Sequence, residues 1–102
     1  MSAFHSLRFL GASLGLTLDI TRKAWRWQLD TATKLGAKRL IIVDHMDCGA
    51  FKEEFGPMSP DEERAKHHET LVTAAEFVRR FLPKLQVACY LQDAHRFEKV
   101  AV

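Results

Sequence analysis

The sequence predicts an α/β fold, a parallel β-sheet flanked by helices, and three observations carry that expectation. Short apolar or alternating runs at Ser6 to Leu10, Leu40 to Val43 and Leu85 to Gln92 have strand character. Between them lie segments of helical periodicity, about Thr21 to Leu35 and Ser59 to Phe81. Strand, helix, strand, helix, strand is the order that crossovers wind into a parallel sheet. With 102 residues and no repeat, linker or low-complexity tract, the chain reads as one domain.

Each element has a local reason. Ser6 to Leu10 is a short strand, and Gly11-Ala12-Ser13-Leu14-Gly15 after it is a small-residue loop whose backbone can turn tightly or approach a ligand. The first helix places Ala24, Trp25, Leu29, Ala32 and Leu35 near one face, with Gly36 closing its end. Trp25 and Trp27 are read as core and subunit-contact residues. Leu40-Ile41-Ile42-Val43, four consecutive branched apolar residues, suits a strand buried on both faces. A short helical turn, Phe51 to Phe55, ends at Gly56-Pro57. Ser59-Pro60-Asp61-Glu62 then starts a long helix, because Ser59 can cap, Pro60 suits the first turn and Glu62 can complete a capping box. Leu71, Ala75, Val78 and Leu82 form its apolar stripe and Pro83 stops it. Leu85, Val87, Cys89 and Leu91 alternate as a strand should, and a turn at Asp93-Ala94 leads to a last extended piece, Phe97 to Val102.

Composition excludes several classes of function. The formal charge is +2 and the basic residues are interspersed with acids, so no stripe tracks phosphates and nucleic acid is not an expected partner. No apolar run approaches the ~20 residues that span a bilayer. Phe9 to Leu18, behind Arg8, imitates a signal-peptide core, but it holds two glycines and leads into Asp19 without a cleavage pattern. Two cysteines are too few for a disulfide framework, and a thiol near His45 is better explained by metal than by a bridge. These features point to a cytoplasmic protein.

The candidate chemistry sits after the second strand. Leu40 to Val43 leads into Asp44-His45-Met46-Asp47-Cys48-Gly49-Ala50, and ligand sites of parallel sheets lie beyond the carboxyl ends of the strands. His45 and Cys48, three positions apart, carry the imidazole and thiolate that zinc prefers. A catalytic zinc takes three protein ligands and keeps a position for water, whose pKa it lowers to about 7, so a third ligand is required. Gly49 fits a chain that turns sharply behind the metal. Asp44 and Asp47 flank the pair; either can orient His45 or receive a proton, while the plainer reading makes them solvated loop acids, Asp47 capping the next turn. His67 and His68 point about 100° apart and read as a polar helix face. Cys89 reads as a small buried apolar residue, and His5 and His95 as surface residues.

The run Val43 to Ala50 resembles the second zinc motif of the β-class carbonic anhydrases, in which a strand leads into His, two spacers and Cys-Gly. Gly11 to Gly15 resembles the small-residue loop before that family's first long helix, and Leu35 to Arg39 resembles the turn into its zinc strand. The resemblance implies zinc as cofactor, reversible hydration of carbon dioxide to bicarbonate, and a homodimer. It covers the later part of the family's domain. The earlier Cys-x-Asp-x-Arg motif, which supplies a ligand Cys and an Asp–Arg dyad, has no counterpart here. The chain therefore reads as truncated at the N-terminus and, alone, as a weak or inactive enzyme. Fold relatives hydrolyse small carbon-sulfur molecules, which leaves the substrate open. A non-catalytic metal-binding or dimerisation module is the competing reading, and a poorly folded remnant is a third.

Overall fold

A computed structural model describes the backbone of residues 6–10 and 12–102, and the side chains from Ser13 onward apart from Ile20. It is an α/β domain. The elements are β1 (Ser6–Leu10), α1 (Ala12–Thr17), α2 (Asp19–Lys34), β2 (Arg39–His45), α3 (Gly49–Phe55), α4 (Pro60–Phe81), β3 (Gln86–Gln92) and β4 (Phe97–Val100). The strands form one sheet in the order β1-β2-β3-β4. β1, β2 and β3 are parallel, with Leu40 level with Val87 and Ile42 with Cys89, while β4 returns antiparallel, Cys89 facing Val100. The expected all-parallel sheet is thus corrected to a mixed one. The connection from β3 to β4 is a tight turn at Asp93, too short for the crossover that a parallel pair needs.

The helices do not flank the sheet on both sides. Leu40, Ile42, Cys89, Leu91 and Val100, on one face, join a single core with Leu29 of α2 and Leu71, Ala74, Ala75 and Val78 of α4. Alternate residues Ile41, Val43, Ala88 and Tyr90 face the other way and are half-buried. α2 lies beside α4 on the covered face, with the Arg26 guanidinium 4.0 Å from the centre of the Phe81 ring. The four apolar residues of β2 are therefore alternately buried and half-buried rather than buried on both faces.

Helix boundaries follow their local chemistry. Ser59 caps α4 as expected: its hydroxyl accepts the Glu62 N–H at 3.2 Å, and the Glu62 carboxylate accepts the Ser59 N–H at 2.9 Å. Gly36 adopts φ 109° just beyond α2, and Gly56 φ 80° beyond α3, conformations that favour glycine. The small-residue loop is instead a helix, α1, with Gly11 outside the described residues. Leu14 and Leu16 of α1 are buried, and Gly15 is covered by the Trp25 ring. Trp25 packs on the core, but Leu35 is 63% exposed and does not belong to the apolar face assigned to it, and Trp27, 68% exposed, is not a core residue. Ala24 is exposed too.

Candidate functional site

β2 carries the site. His45 is its last residue, and Asp44 precedes it on the buried face, since side chains alternate along a strand. After His45 the chain turns through Asp47, which holds φ 57°, a left-handed conformation that aspartate tolerates better than most residues. Cys48 then stands at the N-cap of α3 with its thiol buried. The sharp turn expected at Gly49 is therefore made by Asp47. Gly49 opens α3, has no positive φ, and a Cβ built on it meets nothing within 4 Å.

The two ligand candidates stand in different surroundings. The His45 ring is half-buried, with Nδ1 3.0 Å from the Met46 carbonyl. That carbonyl can only accept, so Nδ1 donates and Nε2 is left as the ring's lone-pair nitrogen. The Cys48 N–H donates to Glu63 Oε2 at 3.2 Å. Asp47 is exposed and pairs with Lys52, whose ammonium hydrogen bond holds the carboxyl below the usual range. It is the solvated loop acid foreseen. It caps nothing, because the N-cap of α3 is Cys48 and has no side-chain cap bond. Among the described residues no three His, Cys, Asp or Glu side chains are grouped to hold a metal ion.

Asp44 is no loop acid. It is fully buried, and Ser13, His67 and Thr70 gather around it. Ser13 Oγ lies 2.5 Å from Asp44 Oδ2 and 3.1 Å from Thr70 Oγ1, and the Ser13 N–H donates to Asp44 Oδ1 at 3.3 Å. His67 Nδ1 donates to Asp44 Oδ2 at 2.7 Å, and His67 Nε2 donates to Glu63 Oε2 at 2.9 Å. Both ring nitrogens thus face carboxyl oxygens, an arrangement that favours the protonated ring. Burial alone pushes its pKa down; the hydrogen bonds to Asp44 and Glu63 outweigh that and hold it above the usual histidine value. The buried Phe51 ring lies against it, centres 3.8 Å apart.

The expected polar face at His67 and His68 is half right. His68 points toward Glu98, 3.4 Å away, but His67 is completely buried. The missed signal was the phase of α4. His67 lies four residues before Leu71, the first residue of the apolar stripe, and Glu63 four residues before His67, so all three share one face. Cys89 is buried as expected, and burial pushes its thiol up to about 12. His95 is exposed, and His5 lies outside the described residues.

Comparison with protein-family models, with curated proteins and with solved structures finds no match to this chain. Function must be read from these residues. No helix among the described residues is long and apolar enough to cross a membrane.

Proposed function

We propose that this chain is a cytoplasmic zinc-binding α/β domain of β-class carbonic anhydrase type, in which His45 and Cys48 hold the metal and the chemistry is reversible hydration of carbon dioxide to bicarbonate. The observation that carries the reading is the state of His45. It ends β2 at the carboxyl edge of the parallel strands, and Met46 O occupies Nδ1, which leaves the Nε2 lone pair for a metal. The donor chemistry suits zinc: an imidazole nitrogen with its other N–H held by a carbonyl, and a thiol three residues on. A zinc ion bound there would supply the Lewis acidity that activates water near neutral pH. Asp44 does not take part as a proton acceptor at the metal in this reading. Its oxygens are committed to Ser13 and His67.

The described residues offer two donors, whereas zinc sites that do chemistry use three from protein. The 102-residue chain is therefore expected to hold zinc loosely and to turn over slowly. The reading also carries a homodimer. Zinc titration followed by competition with a chelator tests the assignment: His45→Ala and Cys48→Ser should each abolish binding, and His95→Ala should not. Loss of no affinity in either of the first two variants would falsify it. Stopped-flow assay with a pH indicator then separates functions. Zinc-dependent turnover that rises when a third thiolate is supplied supports the enzyme, and zinc binding without turnover assigns a non-catalytic metal-binding module.

A further inference from the structure

Both ends of the His45–Cys48 loop are tied to one buried ring. Asp44, next to His45 in β2, accepts from His67 Nδ1 at 2.7 Å. On the other side Glu63 Oε2 accepts from His67 Nε2 at 2.9 Å and from the Cys48 N–H at 3.2 Å. We propose that His67 and Glu63 form a clasp, a pair of positioning residues on α4 that sets the separation of the loop's two ends and holds the Cys48 thiol in place. The purpose assigned to the clasp rests on the zinc reading above, whereas its mechanical action does not.

The geometry distinguishes a clasp from ordinary core filling. The imidazole, like the Asp44 side chain, is fully buried, and the Glu63 side chain is only 8% exposed. Burying three ionisable groups carries a desolvation cost, and apolar residues of similar volume would stabilise a core at least as well. What the polar set adds is direction. Each hydrogen bond fixes one atom of β2 or of the loop relative to α4, as Ser13 does for α1 through the Asp44 carboxylate. The Cys48 side chain makes no cap bond to α3 and packs in a small buried cluster with Leu14 and Phe51. Phe51 closes the cluster from α3, its ring against the imidazole.

The chain carries its own control. Cys48 sits on the clasped loop and Cys89 sits in the main core, and both thiols are buried and free. Alkylation of the metal-free chain, followed by peptide mass analysis, reports the opening of each place separately. In His67→Gln and Glu63→Gln, Cys48 should label about tenfold faster or more, with the Cys89 rate unchanged, because local opening loses its restraint while the core does not. Glu63→Gln retains an acceptor for the Cys48 N–H and should show the smaller effect. Two results overturn the clasp: neither thiol changes, or both accelerate together, which would make the cluster a support of the whole fold. Zinc affinity of the same variants should fall in step with Cys48 labelling. A wild-type chain that takes no zinc sinks the proposed function, and the labelling still decides the clasp.

Discussion

At Gly15 there is no room for a side chain. A Cβ built there lies 2.6 Å from Trp25 Cε2, and the indole is packed on the core rather than free to swing away. Gly15→Ala should therefore destabilise by about 1–3 kcal/mol through overpacking. Thermal melting measures the loss, and adding Trp25→Ala should recover part of what Gly15→Ala costs, which a backbone effect would not allow. Gly49 is the opposite case. With ordinary φ, open space around its Cα and a helical position, Gly49→Ala should be neutral or stabilise by up to about 1 kcal/mol by restricting the unfolded chain. A destabilisation larger than that would mean that the loop needs a conformation other than the one seen here. The absence of a side chain at Gly49 thus has no steric cause in this fold.

Arg64 joins two elements, docking the β3–β4 hairpin onto α4. Its guanidinium reaches Asp93 Oδ2 at 2.9 Å and Glu98 Oε2 at 2.6 Å. Asp93 also accepts the N–H groups of His95 and Arg96, which shapes the turn. The His95 N–H above all, then the Arg64 guanidinium, hold the Asp93 carboxyl down at about 2. The folded pKa lies below the value of 3.8 for an unperturbed chain, so the carboxylate stabilises the fold fully above about 4 and loses that contribution as pH falls toward about 2. Amide exchange should show β4 loosening over that window before β2 does. Asp93→Asn should flatten the acid dependence, and an unchanged profile would detach the hairpin from this carboxylate.

The described residues form one layer of helices on one layer of sheet. Ile41, Val43, Ala88 and Tyr90 lie half-buried on the face away from the helices, and Phe97, 4.7 Å from the Tyr90 ring centre, is 58% exposed. Parallel strands with one apolar face left so open are rare in isolated domains. Covering that face with a second copy of the chain is the economical solution, and it accords with the homodimer proposed above. Sedimentation at micromolar concentration should show a dimer, and Phe97→Asp should shift it toward monomer. A wild-type monomer across that range would rule the arrangement out.

Much of the architecture was legible because it depends on neighbours in sequence. The capping box at Ser59, the stop at Pro83, the glycine turns at Gly36 and Gly56 and the alternation of β3 are local effects, and the structure contains all of them. So is the placement of His45 at the end of an apolar strand with Cys48 three residues on, which needs no more than reading along the chain. Where strands pair and which faces stay open are long-range matters, and there the tertiary structure decided. β4 turned back because its connection is short, and the helices gathered on one face, which halved the burial expected of β2. The clearest case is Asp44. In sequence it is one acid beside a ligand, but the pleat points it inward, where Ser13 from 31 residues before and His67 from 23 residues after meet its carboxylate. Such a cluster is assembled only when three elements pack, because each partner's polar atoms acquire a reason to be buried only from the others.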